Sequence, residues 1–204
     1  MPIDSKIESI ITAIASDGFA IIPDFLPPAQ IAALADEARQ LQVAGEMRRA
    51  VTGSSNATTA DNKMRGDFIH WLEDANASRV QKSYLQTMDT LREQLNLHFY
   101  LGLFELESHF AIYPTGAIYR KHLDQFQDKQ HRQISCILYL NHAWQAEDGG
   151  QLRFYLNGRH EETYLDIEPI GSTLVVFLSD QFWHEVLPAK RQRISLTGWF
   201  RTRE

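Results

Sequence analysis

Cysteine is almost missing from this chain: Cys136 stands alone among 204 residues. A single thiol excludes an intramolecular disulfide and any cysteine-based zinc cluster, so a bound metal would take its ligands from His and carboxylate. Long apolar runs are missing as well. None approaches the ~20 residues that cross a bilayer, and the opening MPIDSKIESI has neither a basic n-region nor an apolar h-region. These absences predict a cytoplasmic protein with no membrane partner. An excess of basic charge is also lacking. With 20 Lys and Arg against 26 Asp and Glu, the net charge of -6 offers no surface for nucleic acid. A composition of 44% hydrophobic and 23% charged residues excludes the disordered, collagen-like and coiled-coil classes. The length fits a single domain over residues 1–204, read here as a monomer.

Two textures divide the chain. Ile3, Ile7, Ile10, Ile11 and Ile14 recur at helical spacing and stop before Gly18, which predicts a helix with a glycine cap. The run Phe19 to Ile22 reads as a strand. Pro27 and Pro28 open a second helix with Ile31, Leu34, Ala35, Ala38 and Leu41 on one face, closed by Gly45. A third pattern follows Ser78, with Val80, Tyr84, Leu85, Met88, Leu91 and Leu95 as its stripe. Between the second and third helices, residues 52–62 (TGSSNATTADN) are small, polar and aperiodic. They read equally well as a functional loop or as a surface insertion.

From Leu106 the chain changes to short aromatic and β-branched runs separated by turn signals: ESHFAIYP, AIYRKHLD, QISCILYLN, GQLRFYL, ETYLDIEP, STLVVFLS, FWHEVLP and RISLTGWF. Eight such runs predict an α+β, mainly β architecture. It is a double-stranded β-helix, or jelly roll, over residues 104–200, with the helices of residues 1–103 packed on one sheet.

His122 and Asp124 form a His-x-Asp pair at a predicted strand end, where alternate side chains converge. His184, 60 residues after Asp124, completes a two-His, one-carboxylate set of the kind that leaves positions open on non-haem iron. On the last run Arg193, Ser195, Thr197 and Trp199 share one face, and Ile194, Leu196 and Phe200 the other. If the apolar face packs on the helices, Arg193 points inward, and a buried guanidinium calls for an anionic partner. The same parity sends Tyr139 and Ile137 inward, with Leu152 walling the same space, and makes Cys136 an inert outward-packed residue.

The succession HLD, ISCILYLN, WQAEDGGQLRFY, DIEP, FWHEVLPAKRQR and TGW, with KMRGDFIHWLED upstream, resembles the Fe(II)/2-oxoglutarate-dependent prolyl hydroxylases. It is most similar to the bacterial relatives of the hypoxia-inducible-factor prolyl hydroxylases. The resemblance implies Fe(II) on His122, Asp124 and His184, and the 2-oxoglutarate C5 carboxylate on Arg193 and Tyr139. It further implies a pocket lined by Tyr113, Ile137, Leu152, Val186, Thr197 and Trp199. Tyr119, Arg120, Thr52 and Asn62 would face the substrate. Tyr119 has the opposite strand parity from His122, so an inward position for it requires a twist or bulge. His109 stands where the animal relatives carry an apolar pocket residue. Arg65-Gly66-Asp67 spells an adhesion tripeptide, but the resemblance makes Asp67 the partner of Arg132 instead.

The activity implied is hydroxylation of a prolyl residue in a protein, with elongation factor Tu suggested by the bacterial members. Fe(II), 2-oxoglutarate and O2 would be consumed or bound, with ascorbate as a further cofactor. A small-molecule hydroxylase and a non-catalytic metal-binding jelly roll are the alternative readings.

Overall fold

The computed structural model describes residues 1–51, 64–125, 131–156 and 163–203. The chain opens with α1 (Ile3–Asp17), whose Ile7, Ile10, Ile11 and Ile14 are all buried on one stripe. It stops at Gly18, which takes the left-handed conformation (φ 77°) and returns its N–H to the Ile14 carbonyl at 3.1 Å. β1 (Phe19–Ile22) leads to α2 (Pro28–Val43), which starts with proline at its first position, where the missing N–H costs nothing. β2 (Arg48–Arg49) and β3 (Phe68–Trp71) follow. In α3 (Arg79–Phe99) the Ser78 hydroxyl accepts from the Gln81 N–H, and Tyr84, Met88, Leu91 and Leu95 form the buried stripe.

The remaining strands are β4 (Glu105–Tyr113), β5 (Tyr119–His122), β6 (Arg132–Tyr139) and β7 (Leu152–Tyr155). They are followed by β8 (Tyr164–Ile167), β9 (Leu174–Leu178), β10 (His184–Val186) and β11 (Arg193–Arg201). All eight runs read from the sequence are strands. They fold into a seven-stranded sheet in the order β1-β9-β6-β11-β4-β3-β2 and a four-stranded sheet in the order β5-β10-β7-β8, every pairing antiparallel.

The larger sheet separates two cores by strand parity. Its outer face gives Phe110, Ile134, Leu138, Val176, Leu196 and Phe200 to the same apolar cluster as the helix stripes. Cys136 lies in that cluster, fully buried, and burial pushes its thiol up, so it is inert at neutral pH. The inner face meets Leu152, Phe154 and Val186 of the smaller sheet around Tyr139, Ile137 and Phe177. Helices on one side and the small sheet on the other explain why β6, β9 and β11 are buried along almost their whole length.

β2 and β3 were not foreseen in the stretch between the helices. β3 pairs with β4 in register Phe68↔Ile112 to Trp71↔His109, and so extends the larger sheet beside the chemistry. Residues 52–62, and with them Thr52 and Asn62, lie outside the described residues.

Candidate active site

His122 ends β5 and His184 begins β10, and the two are direct cross-strand partners, so the sheet brings their rings to 4.3 Å. The His122 Nδ1 lies 2.7 Å from the Arg120 carbonyl and the His184 Nδ1 lies 3.0 Å from the Phe182 carbonyl. Carbonyls only accept, so each Nδ1 carries the proton and each Nε2 is left with a lone pair. Both Nε2 atoms point at Asp124, at 3.5 Å and 3.6 Å, and the three side chains offer ligand atoms that all lie within 4.8 Å of one another.

Electrostatics hold His184 and Asp124 in the protonation states a metal needs. Burial, reinforced by the neighbouring His122, brings the His184 imidazole down to about 4. Burial alone would raise the Asp124 carboxyl, but His184, His122 and the Ser135 hydroxyl outweigh it and hold the group well below the usual carboxylate range. Neutral imidazoles and an ionised carboxylate are the ligating forms.

At the other end of the inner face Arg193 is 1% exposed. Its Nε donates to the Gly150 carbonyl at 3.0 Å, and its guanidinium carbon lies 5.1 Å and 5.0 Å from the Tyr113 and Tyr139 ring centroids. Arg193 Nη2 and the Tyr139 hydroxyl are buried without a hydrogen-bond partner among the described residues. Two donors left over in a dry site fit an anionic acceptor, since an unmet buried donor is costly and a carboxylate satisfies both. Burial pushes the Tyr139 phenol up against the pull of Arg193, so it remains a donor. The donor set of the cluster and these orphan donors therefore fit Fe(II) and a dicarboxylate keto acid.

Tyr113, Ile137, Leu152, Val186, Thr197 and Trp199 line one cavity with the His–Asp–His cluster and Arg193, so the structure brings together the pocket residues expected from the sequence. Tyr139 stands beside Arg193, fully buried, rather than on that wall. Tyr119 turns inward as well. The register between β10 and β5 shifts from His184↔His122 to Val186↔Tyr119, so that one residue, Glu185, faces two, Arg120 and Lys121, and this irregularity supplies the change of parity. Arg120 has an exposed side chain and acts on the cluster through its carbonyl.

One expectation is overturned. Asp67 is not the partner of Arg132. Its carboxylate takes a two-pronged pair from Arg65, at 2.7 Å and 2.5 Å, because extended backbone puts residues two apart on the same side. Arg132 instead bonds Glu107 and lies over the Trp199 ring at 3.6 Å. Sequence reasoning also missed Arg65 and Trp71. Together with His109, Tyr119, Arg132 and Trp199 they line a second space of about 180 Å³ that opens beside Asp124.

A jelly roll that brings two histidines of adjacent strands to a carboxylate just past a strand end carries the donor set of the non-haem iron oxygenases. The family described as the 2OG-Fe(II) oxygenase superfamily matches residues 108–201. A crystal structure of a Pseudomonas putida prolyl-4-hydroxylase superposes with a TM-score of 0.86 at 43% identity, covering 97% of this chain and 100% of that one. The chain belongs to the 2OG-Fe(II) oxygenase superfamily and is homologous within it to prolyl hydroxylases. A prolyl hydroxylase from Trichoplax adhaerens, in complex with a hypoxia-inducible-factor oxygen degradation domain peptide fragment, gives a TM-score of 0.86 at 26% identity, over 98% of this chain and 90% of that one. Egl nine homolog 1 of Homo sapiens is 30% identical over 202 residues, 95% of this chain and 46% of that protein. The chain thus spans about half the length of the curated relatives it matches first. Among the described residues no helix is long and apolar enough to cross a membrane.

Proposed function

We propose that this protein is an Fe(II)- and 2-oxoglutarate-dependent dioxygenase that hydroxylates a prolyl residue in a protein substrate. The observation that carries the reading is the pairing, along one inner face, of the His122–Asp124–His184 cluster with the orphan donors of Arg193 and Tyr139. Neither alone specifies the chemistry. A metal cluster without an anion clamp fits many enzymes, and a buried Arg without the cluster fits many binding proteins.

In this reading His122, Asp124 and His184 hold the metal, and Arg193 and Tyr139 hold the distal carboxylate of 2-oxoglutarate. Bound there, Fe(II) and the keto acid supply O2 activation, the acid leaving as succinate and CO2 while one oxygen atom goes to the substrate. The chain's own residues orient and exclude. Ser135 and the two backbone carbonyls fix the ligand atoms, Ile137, Leu152 and Val186 keep water from the space between clamp and cluster, and Tyr113 covers the guanidinium. The cavity lined by Trp71, Trp199, Tyr119 and Ile69 suits an apolar ring such as proline, framed by the charges of Arg65 and Arg132.

The bacterial resemblance adds elongation factor Tu as the substrate; ascorbate is the further cofactor, a reductant that keeps iron ferrous, and the lone thiol fits the cytoplasm as the compartment. Incubating the iron-loaded protein with 2-oxoglutarate in air and a bacterial lysate, alongside purified elongation factor Tu, tests these readings. Prolyl peptides heavier by one oxygen atom are the expected product. Succinate formed with oxygen only on non-prolyl residues or on small molecules would overturn the prolyl assignment.

A further inference from the structure

Both cluster histidines are fixed in the ring plane by a carbonyl on Nδ1, but their remaining surroundings differ. His184 is 3% exposed and packs edge-to-face with Phe177, ring centroids 5.0 Å apart. The His122 side chain keeps 13% of its surface and sits at the end of its strand. One hydrogen bond holds a ring at a single point and leaves it free to tilt about that contact. At His122 the tilt is blocked by Tyr119, whose ring lies 3.6 Å away, centroid to centroid, and only 17° from parallel.

Tyr119 is itself backed. The Arg65 guanidinium lies 4.3 Å from the Tyr119 centroid, and since the imidazole fills one face of the ring, the guanidinium takes the other. Arg65 is held by the two-pronged pair to Asp67, whose side chain is fully buried. The backbone is stapled too. Arg65 forms a bridge with Tyr119, the Gly66 N–H donates to the Ile118 carbonyl at 2.9 Å, and the Arg120 N–H donates to the Met64 carbonyl at 2.8 Å. A Cβ on Gly66 would come within 3.0 Å of the Ala117 Cβ, so glycine permits this approach. The Arg65-Gly66-Asp67 tripeptide is therefore an internal brace.

We propose that Asp67, Arg65 and Tyr119 form a stacked brace that positions the His122 imidazole for metal binding, and that Arg65 and Tyr119 are positioning residues of the metal centre. The inference rests on His122 being a metal ligand. The charge balance suits such a brace, because Asp67 neutralises Arg65 and His122 is stiffened without a net positive charge being placed beside a divalent cation. Because Arg65 and Tyr119 also line the second space, an occupant of that space would touch the residues that hold the ligand.

Co(II) added to the metal-free protein under argon tests the brace, read by calorimetry and by the cobalt d–d absorption bands. Tyr119→Leu removes the stacked ring and is expected to weaken Co(II) binding by about 10–100-fold, the usual effect of losing a group that orients a ligand, with altered bands. Tyr119→Phe keeps the ring and should restore affinity and spectrum. The double variant Arg65→Met, Asp67→Asn leaves Tyr119 without its backing and without a stranded buried charge. It should weaken binding by about threefold, the size of a cation–π contact, and it carries the test if Tyr119→Leu does not fold. Parent-like Co(II) affinity and bands in whichever of Tyr119→Leu and the double variant folds would overturn the brace. If the parent binds Co(II) no better than His122→Ala, the metal assignment itself fails, which is a separate result.

Discussion

Ser135 donates a hydrogen bond of 2.7 Å to Oδ2 of Asp124, and its own oxygen lies 2.9 Å from the Ser179 hydroxyl. The bond reaches across from β6 and fixes the orientation of the Asp124 carboxylate, whose Oδ1 lies 3.5 Å from the His122 Nε2 and whose Oδ2 lies 3.6 Å from the His184 Nε2. Removing the hydroxyl with Ser135→Ala should keep the fold, since Ser135 is small and fully inside the sheet. Metal affinity should fall by about tenfold, the lower end of what such supporting bonds contribute. Calorimetric titration with Mn(II) checks this, and an unchanged dissociation constant would show that the carboxylate is held without Ser135.

The anion clamp separates cosubstrate from metal. Arg193→Ala should raise the 2-oxoglutarate KM by at least tenfold and leave metal affinity nearly intact, because a hydrogen bond to a charged group contributes about 1.5–3 kcal/mol. Tyr139→Phe should do the same more mildly. Steady-state succinate formation against 2-oxoglutarate concentration, paired with metal titration, reads both numbers. A parent-like KM in Arg193→Ala would mean that the keto acid is anchored elsewhere.

Gly150 presents the carbonyl that receives Arg193 Nε, at φ 71°, with no room for a side chain: a Cβ would meet the Ala189 Cβ at 2.9 Å and the Arg193 Cδ at 3.3 Å. Gly150→Ala should therefore cost about 1–2 kcal/mol for the left-handed backbone and about 1–3 kcal/mol for overpacking, and should raise the 2-oxoglutarate KM. Gly116 has φ 75° and nothing within 4 Å of its Cβ position, so Gly116→Ala should show the backbone cost alone. Urea melts of the two variants compare these contributions directly, and equal losses would remove the packing argument.

Acid should destabilise the metal-free protein through its buried imidazoles. Burial drives His109 down to about 3, with Arg65 and Arg132 adding to it, and His184 sits at about 4. The unfolded chain titrates near about 6.5, so below that it takes up protons the fold refuses. Stability is complete above that value and is lost as the pH falls toward the folded values, at up to about 1.4 kcal/mol per pH unit for each group. Thermal melts from neutral pH to about pH 5 should show the decline, and His109→Leu should make it shallower. An unchanged slope in that variant would show that His109 is already protonated or exposed.

Much of this was readable from residue patterns because burial here follows parity. The alternation Arg193, Ser195, Thr197, Trp199 against Ile194, Leu196, Phe200 is the division between the site and the helix-covered core, and the isoleucine stripe of α1 is the helix face itself. β3 escaped because a run of four residues becomes a strand only by pairing with β4, and that pairing is a long-range event. Asp67 was assigned to a distant arginine when the nearer one, two residues back on extended chain, had the shorter path; that i, i+2 spacing was the available signal. The stacking of Tyr119 on His122 depends on the β10 irregularity, which a sequence suggests only once the inward position is assumed.

β1 has one neighbour in its sheet, β9, pairing Phe19 with Phe177 and Ile22 with Leu174. Ser172 repeats the tie, its hydroxyl donating to the Leu26 carbonyl at 2.7 Å and accepting the Leu26 N–H at 2.9 Å, across 146 residues. During synthesis on the ribosome the first helices emerge long before either partner exists. The segment between these two helices can complete its ties only once residues 146 positions further on have been made, the long-range kind of contact that slows folding.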